Sequence, residues 1–134
     1  MIPPYAPRER PISTVTKTRE ATEEALVSGI FERCKSHLKR GVTTIEVKSG
    51  YGLCVTEELK MLRAIRKANE SIAQDLISTC LAAHMKPKDW EGTAETYLLE
   101  IANTLFPILK SERLTYRVDA FIEERAFSKE SIAP

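Results

Sequence analysis

Between Val42 and Leu53 the chain reads VTTIEVKSGYGL, an alternating β-branched stretch that ends in a glycine-bracketed tyrosine, Tyr51. Flanking glycines let backbone approach a ligand closely, and a phenol there can donate a hydrogen bond. The same tyrosine can equally do no more than fill a turn. A second candidate is His84, which leaves an apolar run, Leu76 to Ala83. An unperturbed imidazole changes charge near neutrality, which makes histidine a residue type suited to acid–base work or to donating to a substrate carbonyl. It can also simply cap a strand. Glu46 and Lys48 share one parity of the first stretch and read either as a structural ion pair or as part of a cleft wall. Glu123 ends a third apolar–polar alternation, Thr115 to Glu123. If these three stretches are neighbouring strands, Lys48, His84 and Glu123 end polar faces that converge on one rim.

Other residues carry bland readings. His37 lies among Lys35, Lys39 and Arg40 and reads as solvated; Cys80 reads as a small core residue; Trp90, Tyr97 and Phe106 read as packing. Two histidines far apart, with neither HxH nor HExxH, cannot build a histidine-rich metal site. The chain has no GxSxG elbow, Walker loop or GxGxxG.

The elements that must position these groups follow from periodicity and caps. Pro3, Pro4, Pro7 and Pro11 make residues 1–11 an extended lead-in. Ser13 to Glu20 forms a short helix. Thr22 with Glu23 and Glu24 opens another, whose inward stripe is Leu26, Val27, Ile30, Phe31, Cys34 and Leu38, with Gly41 as its stop. Val42 to Lys48 is a strand. Thr56-Glu57-Glu58 opens a helix with Leu59, Leu62 and Ile65 inward. Leu76 to Ala83 is a strand buried on both faces. Thr93 to about Lys110 is a helix that Pro107 kinks or shortens. Thr115 to Glu123 is a third strand, and Ser128 caps a last short helix. This order predicts an α/β fold of three parallel βα units with helices on one face and right-handed crossovers. Three strands cannot close a barrel of eight.

Composition bounds the partners. Of 134 residues, 43% are apolar and 29% charged, which is ordinary for a soluble globular domain. The net charge of +1 gives no electrostatic case for nucleic acid or an anionic membrane. No apolar run is long enough to span a bilayer. Three cysteines without CxxC spacing read as free thiols in a reducing cytoplasm.

The motifs together resemble the imidazolonepropionases of the metal-dependent amidohydrolase superfamily. The resemblance is carried by Ser13-Thr14-Val15 with Thr18-Arg19, by Gly41 to Thr44, and by Glu46 to Leu53. It continues through Glu57 to Arg63, Ala83-His84 with Pro87, Val118 to Glu124, and Ala126-Phe127-Ser128. The run KSGYGL followed by ELKMLR is the specific part. Arg8 to Pro11, Ala82 and Arg125 depart from the pattern. The resemblance implies a partial (β/α)8 TIM-type barrel over residues 12–134, covering an interior arc. It implies hydrolysis of the cyclic amide of 4-imidazolone-5-propionate to N-formimidoyl-L-glutamate in histidine degradation, with Tyr51 and His84 as substrate-binding residues. That family binds one divalent metal, zinc or iron. Its ligands and catalytic groups fall outside the matched blocks, so this chain is expected to hold no metal and no catalytic residue, and to be inactive alone. The alternative is a non-catalytic binding or scaffolding domain on the same arc. Unpaired sheet edges predict self-association or pairing with missing barrel segments.

Overall fold

The computed structural model describes residues 10–123 and 126–132. Most of the expected lead-in, and Glu124 and Arg125, lie outside those residues. The first helix, α1, spans Arg10–Glu20 and so begins earlier than the Ser13 start its sequence suggests. Helix α2 spans Glu23–Leu38, and its cap is the expected one: the Thr22 side chain accepts from the Ala25 N–H at 3.1 Å. Val27, Ile30 and Cys34 form its buried stripe. Leu38 does not belong to that stripe; at the frayed last turn it is 42% exposed. Gly41 follows with φ +82, a left-handed conformation that glycine adopts without Cβ strain.

Strands β1 (Thr44–Lys48), β2 (Asp75–Ala83) and β3 (Val118–Ala120) form one sheet in the order β1-β2-β3, every pairing parallel. Helix α3 (Val55–Asn69) crosses over between β1 and β2. Between β2 and β3 run α4 (Ala94–Glu100), a π-helical turn (Ile101–Leu105) and α5 (Phe106–Ser111); α6 (Lys129–Ile132) follows β3. The chain is therefore α/β with three parallel strands in an open sheet, consistent with part of a TIM-type barrel.

The π turn is the answer to Pro107. Proline has no N–H to give and its ring collides with the carbonyl four residues back. Here the wider turn comes just before it, with the Phe106 N–H donating to the Ile101 carbonyl, and the helix continues without breaking.

The core lies between the helices and one face of the sheet. Leu62, Ala64, Ala68, Cys80 and Leu105 have no exposed surface, and Ile45 and Val47 cover them from β1. The opposite face of the sheet is open over the first half of β2, so the expectation that β2 is buried on both sides holds only for its second half, where Thr79 is 3% exposed. Ile77 is 36% exposed there, beside the exposed Thr44, Glu46 and Lys48. Helices on a single layer leave half of each strand facing outward. β3 is shorter than its sequence suggests because the Thr115 hydroxyl takes over where a ladder would run. It donates to the Ser78 carbonyl at 2.6 Å and accepts from the Arg117 N–H at 3.0 Å. No helix among the described residues is long and apolar enough to cross a membrane.

Candidate functional site

The loop after β1 is built from beneath. Ser49, 1% exposed, receives the Leu81 N–H on its hydroxyl at 3.1 Å and donates its own N–H to the Thr79 carbonyl. Gly50 has φ +111, and a Cβ on it would sit 2.8 Å from the Leu81 carbonyl oxygen. Leu53 also has positive φ (56°), which is costly for a branched side chain, and is buried. What holds this backbone is Glu58. Its carboxylate, wholly buried, accepts from the N–H groups of Gly50 (3.0 Å), Gly52 (2.9 Å) and Leu53 (2.9 Å). From the other side the Arg19 guanidinium donates to the Gly52 carbonyl at 2.7 Å and to Asp89 at 2.7 Å. It thereby ties the loop after β1 to the loop after β2. The hydrogen bond from Arg19, with its charge, holds the Asp89 carboxyl below the usual range.

On this support Tyr51 and His84 meet. Their rings lie edge to face with centroids 5.2 Å apart, and His84 makes a second edge contact with Phe121 at 5.6 Å. Strand parity would place His84 with Cys80 and Ala82, on the helix side. The register between β2 and β3 shifts between Cys80 and Ala83, and irregularities of this kind re-aim side chains. His84 Nδ1 is 3.1 Å from the Gly50 carbonyl oxygen. A carbonyl only accepts, so Nδ1 is the nitrogen that carries a hydrogen in this contact.

The rest of the expected rim assembles differently. Lys48 pairs with Asp119 at 2.8 Å rather than with Glu46, and Glu46 accepts from the Thr79 hydroxyl at 2.7 Å. Parallel register explains this: Glu46 and Lys48 stand opposite Ile77 and Thr79, so the nearest opposite charge for Lys48 comes from β3. Its hydrogen bond and charge hold the Asp119 carboxyl below the ordinary aspartate range. Glu123 is exposed, and its backbone carbonyl accepts the Ala126 N–H to close a turn. Cys80 is fully buried, and desolvation pushes its thiol up to about 11, so it is an inert core thiol. A cleft of about 250 Å³ opens between α1 and the loop after β2, lined by Arg19, Leu53, Met85, Lys86 and Asp89 among others; neither Tyr51 nor His84 lines it.

Sequence reasoning missed Glu58 as a site residue, reading it as a first-turn acid. A signal was there: Glu58, Leu62 and Ile65 lie at i, i+4 and i+7, so the carboxylate falls on the apolar stripe. Among the described residues no group of three His, Cys, Asp or Glu could hold a metal ion. These residues do not fit the divalent metal that the resemblance implies.

No protein-family model matches the chain. Over 116 residues, 87% of its length, it is 47% identical to an imidazolonepropionase of Pseudomonas aeruginosa. The identity is 46% over the same length to imidazolonepropionases of Pseudomonas entomophila and Acinetobacter baumannii. The chain is a homologue of imidazolonepropionase. The alignment covers 29% of each of these relatives, so this imidazolonepropionase homologue spans less than a third of their length.

Proposed function

We propose that this chain is the substrate-binding arc of an imidazolonepropionase, acting in the hydrolytic opening of 4-imidazolone-5-propionate to N-formimidoyl-L-glutamate. One observation carries the reading: Tyr51 and His84 stand ring to ring at the carboxyl ends of adjacent parallel strands, where α/β folds gather their ligands. An imidazolone offers a carbonyl oxygen and ring N–H groups. The Tyr51 hydroxyl donates to the oxygen, and Nε2 of neutral His84 accepts a ring N–H. Together they orient the ring and draw charge toward the oxygen as water attacks the carbonyl carbon. Activation of that water belongs to the part of the relatives that this chain does not span, and the chain alone is inactive.

The test has two arms. Titrating the isotope-labelled chain with 4-imidazolone-5-propionate shifts the ring resonances of Tyr51 and His84 and leaves those of His37 in place. In the Pseudomonas aeruginosa relative, replacing the tyrosine or histidine that aligns with Tyr51 or His84 lowers kcat/KM by about 10- to 100-fold, the loss of a hydrogen bond to a charged or charging group. Rings that do not respond, or His37 moving as far, defeat the reading.

The uncovered surface belongs to the same proposal. A groove of about 520 Å³ runs between α4, β3 and α6, lined by Leu98, Phe106, Val118 and Ile132 among others. Val118 is 53% exposed, and Phe121 and Ile122 stand exposed along the same edge. In the isolated chain this edge is covered by self-association; in a longer protein it is covered by further barrel segments. Sedimentation is expected to show association that Val118→Lys weakens by tenfold or more, each tenfold being about 1.4 kcal/mol. A monomer at high protein concentration, with or without the substitution, overturns this.

A further inference from the structure

We propose that Glu58 is the positioning residue of Tyr51: its buried carboxylate is the internal anion onto which the 50–53 backbone folds, and that fold aims the phenol at His84. The inference rests on the reading of Tyr51 as a substrate-contacting group.

A buried carboxylate is expensive unless its lone pairs are met. Glu58 has no exposed surface. Its two oxygens receive three backbone N–H groups at 2.9–3.0 Å, and among the described residues no ion pair includes it. Such hydrogen bonds to a charged acceptor are about twice as strong as neutral ones. If the helix stripe needed only packing here, leucine would serve at no electrostatic cost. What the carboxylate adds is a fixed loop. The held N–H groups belong to Gly50 and Gly52, the residues on either side of Tyr51, and to Leu53. With the peptides on both sides of Tyr51 pinned, the tyrosine backbone has little freedom, and its ring rests against His84.

The helix in turn fixes the carboxylate. The Glu58 N–H donates to the Cys54 carbonyl at 3.0 Å, so Glu58 sits within the first full turn of α3, immediately behind the loop it holds. The loop backbone needs such an anchor, because it contains a left-handed leucine and a glycine at φ +111. The two glycines fit the same design. A Cβ on Gly52 would lie 2.6 Å from the Glu58 nitrogen, so the loop comes down onto the helix end as closely as backbone allows.

The experiment is amide hydrogen exchange followed by NMR on the isotope-labelled chain. In the unsubstituted protein the amides of Gly50, Gly52 and Leu53 exchange about 100-fold more slowly than an unstructured peptide, although they lie outside any helix or strand. Exchange at free-peptide rates refutes the proposal without any variant. In Glu58→Gln, which puts an amide donor where an oxygen accepted, the three amides speed up by about tenfold or more. Those of α3 and β2 keep their protection, and the His84 ring resonances move toward their positions in Tyr51→Ala. Glu58→Asp restores part of the protection and part of the His84 shift. A uniform rise in exchange across the chain, or a His84 signal that ignores Glu58→Gln, assigns Glu58 a merely structural role and overturns the proposal. If Glu58→Gln does not fold, the unsubstituted amides decide alone: slow exchange supports the latch and fast exchange refutes it. Slow amides together with rings that ignore 4-imidazolone-5-propionate would sink the substrate reading and keep the latch; fast amides with responsive rings would do the opposite.

Discussion

Gly52→Ala is expected to remove about 3 kcal/mol of folding stability, whereas Gly29→Ala adds about 0.5–1 kcal/mol. The two substitutions are chemically identical and opposite in sign because their surroundings differ. At Gly52 a new Cβ would sit 2.6 Å from the Glu58 nitrogen and 2.7 Å from the Glu57 carbonyl carbon. Both atoms are backbone in the first turn of α3, held by the helix ladder and by the core beneath it, so neither can step aside cheaply. The methyl therefore drives the loop away. With it go the Glu58 hydrogen bonds to Gly52 and Leu53 and the Arg19 bond to the Gly52 carbonyl. At Gly29, within α2, the nearest atom to a Cβ is the end of the Arg33 side chain at 3.3 Å, which rotates away. What remains there is the helix preference for alanine. Urea unfolding of both variants reads the result as a change in midpoint at constant slope. A Gly52→Ala chain within 1 kcal/mol of the parent would mean that the loop does not rest on α3 as described.

That contrast marks what the sequence could convey. The strands and most of the helices were legible from pattern and caps: Thr22 before Glu23, Gly41 after the last turn, apolar runs at Leu76 and beyond. Their parallel order followed from the alternation of element types. Tyr51 and His84 were legible as candidates because glycine brackets one and a strand end releases the other. Their contact was not. His84 stands one residue past the end of β2, in a turn where strand parity no longer applies, and the β2–β3 register shifts just before it; such single-residue irregularities leave no periodic trace. The same limit explains Lys48. Parity said which face it occupies, but its partner, Asp119, sits 71 residues away on a strand whose register no local pattern fixes. Glu58 was hidden for a different reason. Acids near a helix start are so commonly explained by the dipole that one facing inward passes as ordinary. Arg19 was legible only as part of a motif, with nothing local to show that it bridges two loops.

Tyr97→Ala is expected to cost about 3–5 kcal/mol, and Tyr97→Phe about 1 kcal/mol. Tyr97 is 1% exposed and is the residue through which three parts of the chain touch. Its ring stacks on Phe127, with centroids 6.2 Å apart, and takes the edge of Trp90 at 5.6 Å. Its hydroxyl donates to the Ala82 carbonyl at 3.0 Å. Burial pushes the phenol well above its ordinary range, so the proton stays in place through neutral and mildly alkaline pH and the bond persists there. Removing the ring empties a site with no solvent beside it, and aromatic deletions of this kind sit at the upper end of cavity costs. Removing only the oxygen keeps the packing and loses one neutral hydrogen bond. The difference between the two variants therefore separates packing from polarity at this junction. Its consequence for the rim is directional. Phe127 bridges to Ile122, one residue beyond the Phe121 ring that touches His84. Tyr97→Ala should loosen that wall and shift the His84 ring resonances, while Tyr97→Phe leaves them where they are. Equal costs for the two variants would show that the hydroxyl, rather than the ring, holds α4 to the sheet, and an unmoved His84 signal in Tyr97→Ala would disconnect this junction from the site.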